Sequence, residues 1–280
     1  MMDNEFKSFL KTVEGGEGER CLYRTRLDVY GKGCQHNCSY CYAKSLLDFR
    51  KLWNPDEPAV ADMAKVRKAI DKLPVDSVVR LGGMTDCFQP KELKHRNTYD
   101  TIKLLNERGV HYLIVTKSAI VTHEEYGAIY DKKLAHIQIS VTSTEDFISE
   151  KMEKASPVTD RIAAVERLTS IGYDVALRLS PFVPEFFDFE KLNAIKCNKV
   201  IVEFLRVNTW IKRWFNIDFS PYTLKSGGYE HLPLDVKLGI LERIKLPNMS
   251  VCEDVPEHYE YFKSNFNCNQ VDCCNLNISK

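Results

Sequence analysis

Short β-branched runs recur along this chain at intervals that leave room for one helix between each pair, and that rhythm restricts the fold more than any other feature. Val78–Leu81, Tyr112–Val115, Ile137–Val141, Val175–Leu179 and Val200–Leu205 read as strands. Leu27-Asp28-Val29-Tyr30 alternates as an earlier one should, and leads through Gly31 and Gly33 into a loop. Between the strands, residues 59–73 carry Val60, Met63, Val66, Ile70 and Leu73 at helical spacing and stop before Pro74. Further helices are predicted near 91–108, 123–131, 160–171 and 188–194, and Thr122 with Glu125 has the spacing of a capping box. Strand, helix and strand repeated this way require a parallel sheet with right-handed crossovers. Six such units are too few to close an eight-stranded barrel.

Strand parity locates a cavity. Val79, Leu81, Ile137, Ile139, Val141, Val175, Leu177 and Leu179 form one apolar parity that can meet the outer helices. The opposite parity carries Arg80, Gln138, Ser140, Thr142, Arg178 and Ser180. Polar residues near strand ends suit a lined cavity, because α/β folds place ligands there; a buried hydrogen-bond network of structural use is the other reading.

The loop after the first strand contains Cys34, Cys38 and Cys41, spaced x3 and then x2. Three thiolates can hold three corners of a four-iron four-sulfur cluster and leave the fourth iron open to a ligand that is not protein. A structural zinc site normally pairs two C-x2-C or H-x3-H arms, and this loop has one such arm with a third cysteine upstream. Zinc is therefore the weaker reading, and a disulfide knuckle weaker still.

Composition bounds the context. The 280 residues can bury a sizeable core, and no apolar run approaches the length needed to cross a bilayer. The N-terminus, with Asp3 and Glu5 where a signal peptide needs basic and then apolar residues, predicts a cytoplasmic chain with reduced cysteines. Ten cysteines in such a chain lean toward metal rather than disulfides. The 39 basic and 39 acidic residues cancel, which argues against a strongly electrostatic grip on nucleic acid. Lys212-Arg213 between Trp210 and Trp214 is the best local candidate for one, against the blander reading of a solvated helix face.

C-x3-C-x2-C with an aromatic residue before the last cysteine resembles the signature loop of the radical S-adenosylmethionine enzymes. The resemblance implies a partial (β/α)6 TIM-type barrel, in agreement with the six units. It also implies that Cys34, Cys38 and Cys41 ligate a 4Fe-4S cluster, while S-adenosylmethionine occupies the open iron and is reductively cleaved to a 5′-deoxyadenosyl radical. Tyr40 and Tyr42 would shield the cluster or contact the adenine. The hard chemistry would be the cofactor's, with the protein supplying position and seclusion.

Gly82-Gly83-Met84-Thr85-Asp86 directly follows the second strand, and its glycines allow close backbone approach to a ligand. Together with Cys87-Phe88-Gln89-Pro90, Thr116-Lys117-Ser118, Ser140-Val141-Thr142-Ser143 and Leu179-Ser180-Pro181, it is similar to the spore photoproduct lyase-like branch, over about residues 24 to 185. That similarity implies that Gly82 and Gly83 hold the amino group of S-adenosylmethionine. Thr85, Asp86, Lys117 and Ser140 would contact its ribose or methionine end. Arg178, inward by parity, is either a further carboxylate partner or a salt bridge stitching neighbouring strands. Spore photoproduct lyase has a hydrogen-donating cysteine just upstream of its Ser-Asp pair, where this chain has Gly83-Met84, so the DNA-repair activity does not carry over. Cys87, on the other side of the pair, is the candidate for an analogous catalytic role, against the reading of a small buried thiol.

The rhythm is expected to stop after Leu205. The chain then divides into an N-terminal segment (1–20) without assigned chemistry, a barrel (21–206) and a C-terminal extension (207–280). Cys252, Cys268, Cys273 and Cys274 in that extension are candidate ligands for an auxiliary iron–sulfur cluster or zinc, although adjacent cysteines diverge and reach one metal with difficulty. The function expected is reductive cleavage of S-adenosylmethionine, with an electron donor such as flavodoxin or ferredoxin and an unidentified substrate. Nucleic-acid lesion chemistry and a non-enzymatic cluster-bearing module are the rivals.

Overall fold

The computed structural model describes residue 6, residues 9–276 and residue 278. Residues 1–5, 7 and 8, which carry most of the argument against export, lie outside them. Strand β1 (Leu10–Thr12) runs antiparallel to β2 (Thr25–Leu27), with helix α1 (Gly15–Arg20) between them. The first predicted strand thus ends at Leu27 rather than Tyr30. Asp28 leaves the sheet because its carboxylate accepts backbone N–H groups of the next βα turn, and Tyr30–Gly31 (β3) pairs antiparallel with Ala59–Val60 (β4). Helix α2 (Tyr42–Phe49) follows the cysteine loop.

The helix predicted over 59–73 is shorter, α3 (Met63–Ile70), because Val60 belongs to β4 and Asp62 caps the first turn through Ala64 N–H (2.9 Å). After β5 (Val78–Leu81), the helix predicted over 91–108 is broken into α4 (Glu92–His95) and α5 (Asn97–Arg108) by Arg96 at φ 57°. The break is stabilised from inside. The fully buried Glu92 carboxylate accepts Thr98 and Tyr99 N–H, both at 2.9 Å, and so serves the orphan donors of α5. Strand β6 (His111–Thr116) leads to α6 (Glu124–Gly127), which does not form the predicted capping box. Thr122 instead donates to Ala119 O in a 3₁₀ turn, and Glu125 pairs with Arg96 (2.7 Å).

Strand β7 (Ala135–Val141), α7 (Asp146–Ser149), α8 (Val158–Ser170), β8 (Asp174–Phe182), α9 (Phe189–Asn193) and β9 (Val200–Phe204) complete the predicted series. The rhythm then continues past Leu205. Helix α10 (Thr209–Trp214) and the hairpin β10 (Leu224–Ser226) and β11 (Tyr229–His231) precede α11 (Leu234–Leu241). Strand β12 (Met249–Val251) adds to the sheet parallel to β9, and α12 (Pro256–Asn265) follows. Three residues, one of them Ser250, leave too little pattern for a strand prediction.

The eight-stranded sheet has the order β1-β2-β5-β6-β7-β8-β9-β12, parallel throughout except at β1. This is a mixed α/β fold of partial-barrel type. The apolar parity from Val79 to Leu179 is buried under Val66, Ile70, Ile102, Leu105, Val165 and Leu168 of α3, α5 and α8. Each such side chain contributes about 1.5 to 3 kcal/mol on burial. The polar parity faces the inside. Among the described residues no helix is long and apolar enough to cross a membrane.

Candidate functional site

Cys34, Cys38 and Cys41 come to lie on one wall of a cleft at the carboxyl ends of the strands, and neighbouring backbone fixes the loop that carries them. Gly33 is required where it stands, since a Cβ there would sit 1.9 Å from Asn54 O, and Asn54 N–H donates to Lys32 O (2.7 Å). Ser39 N–H donates to Met152 O (2.8 Å), Lys154 N–H to His36 O (2.7 Å) and Gln35 N–H to Gln89 Oε1 (2.9 Å). Cys41 caps α2, its sulfur accepting Lys44 N–H at 3.5 Å. Burial pushes the Cys34 thiol up to about 12, and pushes Cys38 and Cys41 up as well. Thiolates in this loop therefore need positive charge close by.

The opposite wall is the turn after β5. Asp28 Oδ1 gathers Gly83, Met84 and Thr85 N–H at 2.8, 3.0 and 3.2 Å, which bends the turn around one carboxylate. Gly82 has φ 83°, a left-handed conformation that disfavours a side chain, and a Cβ on Gly83 would meet Arg26 Cδ at 2.7 Å. Tyr42 OH donates to Gly83 O, joining the two walls.

Asp86 ties three segments together. Its oxygens accept Thr116 OH (2.7 Å), Lys117 N–H (2.7 Å) and Phe88 N–H (2.9 Å), and His36 Nδ1 lies at 3.3 Å. Burial alone would raise this carboxyl, but His36, Lys117 N–H and Thr116 OH outweigh it and hold Asp86 below the usual carboxylate range. Lys117 follows β6 and stands 5.6 Å over the Tyr40 ring, with no ion-pair partner among the described residues. Tyr40 OH donates to Glu153, which also accepts from Arg161 and Thr142 and lies 3.9 Å from the Cys38 sulfur.

Ser140, Arg178, Ser180, Glu203 and Arg206 extend the cleft across the sheet, with Arg80 and Glu17 on the near side. Its empty space is about 1030 Å³, counting the part open to solvent. Arg178 donates to Gln138 Oε1 (2.8 Å) and Glu203 Oε2 (2.5 Å), so it both lines the cleft and stitches strands. Burial would raise Glu203, yet Arg178, Arg206 and Ser180 OH hold it far below its ordinary value.

The sequence profile described as the Radical SAM superfamily matches residues 29–191, more than half of the chain and the whole of this cleft's first two walls. The chain belongs to the radical SAM superfamily. Among curated proteins, it is 26% identical over 166 residues to the uncharacterized protein MJ0683 of Methanocaldococcus jannaschii, a match that takes in 56% of this chain and 60% of that one. Among solved structures, a spore photoproduct lyase variant superposes with a TM-score of 0.60 at 15% identity, over 88% of this chain and 80% of that one. A second variant, with bound AdoMet and dinucleoside spore photoproduct, gives 0.58 at 16% identity over 92% and 78%. SuiB of Streptococcus suis gives 0.51 at 13% over 81% and 49%. These likenesses extend to the fold.

The residues of this radical SAM chain fit the cofactors of the superfamily. The only trio of candidate ligand atoms within 4.8 Å of one another, among the described residues, lies elsewhere, at Asp272, Cys273 and Cys274. The three loop thiols are thus not all within that distance of one another, which a four-iron cluster accommodates because each sulfur binds a different iron. Of the residues assigned from sequence, Tyr40, Tyr42, Gly82, Gly83, Thr85, Asp86, Lys117, Ser140 and Arg178 all line the cleft. Five have partners already: Thr85 OH donates to Tyr30 O (2.7 Å), both Asp86 oxygens are taken, and Tyr40, Tyr42 and Arg178 make the bonds described above. Thr85 and Asp86 build the pocket rather than present free groups to it.

Cys87 is not among the residues that line the cleft: its side chain is buried in the apolar core, the second of the two readings its sequence position allowed, and its carbonyl accepts Thr98 OH (2.6 Å). Sequence reasoning missed Asp28, His36, Glu153, Glu203, Arg206 and Glu17. Asp28 carries a signal in hindsight, a carboxylate at a strand's carboxyl end. Glu17 carries none, since a glycine-rich helix precedes the barrel and reaches the cleft only through tertiary packing beside Arg26.

Of the tail cysteines, Cys273 contacts Cys252 and Cys274. Cys268 stands apart: it is exposed, with its sulfur 3.3 Å from Ser250 Oγ and 3.1 Å from Asn275 Nδ2.

Proposed function

We propose that Cys34, Cys38 and Cys41 hold a 4Fe-4S cluster and that the chain binds S-adenosylmethionine between this loop and the Gly82–Thr85 turn, cleaving it reductively to act on a separate substrate. The observation that carries the reading is the convergence of the three loop cysteines, the Asp28-gathered turn and the Lys117 ammonium, unpaired among the described residues, on one cleft. When bound, the reduced cluster and the sulfonium supply a 5′-deoxyadenosyl radical, fed by a low-potential donor such as flavodoxin or ferredoxin. Lys117 meets the methionine carboxylate as a charged donor, while Tyr40 and Tyr42 wall off water. Arg80, Arg178, Ser180, Glu203 and Arg206 face the substrate side.

That rim carries both signs, which suits a compact polar substrate better than a nucleic-acid backbone. Nor do the surface candidates supply a basic track. Lys212 is paired with Glu230 (2.6 Å), and Arg213 stacks on Trp210 (5.0 Å).

The test is anaerobic reconstitution followed by reduction with S-adenosylmethionine present. 5′-Deoxyadenosine is expected from the native chain and none from Cys38→Ala. Full product formation by Cys38→Ala would sink the assignment.

A further inference from the structure

Apart from the loop trio, cysteines from three distant parts of the chain meet against the inner face of the sheet, at Leu113 and Val115. Cys21 follows α1, Cys252 follows β12 with its N–H donating to Val202 O (2.9 Å), and Cys273 and Cys274 come from the tail. All four are free thiols. Cys273 contacts both Cys252 and Cys274, and Cys21 packs with Cys273 and Cys274 on the same small cluster around Tyr23 and Leu113. The difficulty of bringing adjacent cysteines to one point is met by Asp272. Its Oδ1 accepts Cys274 N–H (2.7 Å), and its Oδ2 accepts Tyr23 OH (2.6 Å) and Leu276 N–H (3.0 Å), which folds the backbone so that both sulfurs lie within 4.8 Å.

A second observation is independent of the thiols. Gln138, buried on the polar parity, gives its Oε1 to Arg178 and turns its amide nitrogen toward the Cys274 sulfur. That nitrogen, like Arg178 Nε, has no partner of full hydrogen-bond geometry among the described residues. A buried amide donor turned toward a sulfur is what a metal-bound thiolate takes up in an outer shell.

We infer that Cys21, Cys252, Cys273 and Cys274 form a tetrathiolate site for a single zinc ion. Zn–S bonds of about 2.3 Å put tetrahedral ligand sulfurs roughly 3.8 Å apart; Cys273 and Cys274 already lie within 4.8 Å of each other, and Cys21 and Cys252 would close on them around the ion. A four-iron cluster would hold each sulfur on a different iron, across the width of the cluster. Four protein ligands leave no open position, so the role is structural. Binding displaces the thiol protons, and the Arg178 guanidinium beside Cys252 and Cys274 offsets part of the resulting negative charge. The ion would staple the segment before β2 to the segment after β12, the two sides at which the sheet fails to close on itself. Asp272, with its oxygens engaged, positions the ligands without joining them.

The test uses the full chain with Cys34, Cys38 and Cys41 all changed to alanine, so that the cleft cannot contribute metal and the result is independent of the proposed activity. Purified anaerobically with zinc supplied, it should retain about one zinc per chain. Cys21→Ser added to it should lose that zinc, and Cys268→Ser should keep it. Cobalt titrated into the apo triple variant reads the ligand set without any further substitution, and the strong visible and sulfur-to-metal charge-transfer bands of tetrahedral thiolate cobalt are expected. Iron with matching sulfide, a weak octahedral cobalt spectrum, four readily alkylated thiols in folded protein, or zinc unaffected by Cys21→Ser would each overturn the proposal.

Discussion

The chain gathers cysteines in two places by opposite means. Cys34, Cys38 and Cys41 come from one eight-residue loop, stand apart from one another and line a cleft open to ligands. Cys21, Cys252, Cys273 and Cys274 come from the two ends of the chain, with Cys273 meeting Cys252 and Cys274, and Cys21, Cys273 and Cys274 packed around Tyr23 and Leu113. Local spacing with spread thiols suits a centre that must leave an iron free for another molecule. Distant origin with packed thiols suits an ion that joins parts of a fold. The difference teaches that ligand geometry, more than ligand chemistry, separates a reactive site from a structural one.

Asp86→Ala should break the comparison most sharply, by dismantling one site and sparing the other. The substitution leaves Thr116 OH, Lys117 N–H and Phe88 N–H without their buried acceptor and removes the partner of His36. A loss of about 3 to 5 kcal/mol is expected in denaturant unfolding, together with poor iron loading. Zinc content should stay as in the native chain. Undiminished iron loading would show that the loop is held by Glu153, Gln89 and Asn54 without this hinge.

A second, smaller effect sharpens the open character of the first site. Lys117→Ala removes a charged donor that lines the cleft without an ion-pair partner among the described residues, so S-adenosylmethionine affinity should fall by roughly tenfold or more, corresponding to about 1.5 to 3 kcal/mol. Equilibrium titration against the oxidised holoprotein measures it. Iron and zinc should both be unchanged, and an unaltered affinity would remove Lys117 from the binding set.

The same contrast explains what was legible in the sequence. The loop cysteines, the Gly82–Asp86 turn and the polar parity of β5, β7 and β8 are local patterns, and local patterns survive in a linear reading. Five of the parallel strands likewise announced themselves through β-branched runs. Cys21 could not be grouped with Cys252, 231 positions away, because nothing short of the sheet's closure brings them together. Cys268 groups with the tail cysteines by proximity along the chain, and the fold places it as an exposed thiol beside Ser250 and Asn275. Helix limits failed where a buried carboxylate intervened, as Glu92 does at the α4–α5 break.

Cys87 supplies the smallest effect and the control for both sites, because it is a buried thiol that belongs to neither. Burial, followed by the nearby Asp86, Glu92 and Asp28 carboxyls, pushes its thiol well above the ordinary range, so it carries no thiolate at neutral pH. It is 2% exposed within the apolar core and does not line the cleft, which leaves a substrate radical no path to its hydrogen. Cys87→Ala should therefore cost about 1 kcal/mol of stability, the loss expected for one buried group of this size. 5′-Deoxyadenosine formation, S-adenosylmethionine affinity and both metal contents should remain at native levels. Loss of substrate turnover with cofactor cleavage and stability intact would mean that the Gly82–Asp86 turn opens to expose this thiol, and would return Cys87 to the reaction.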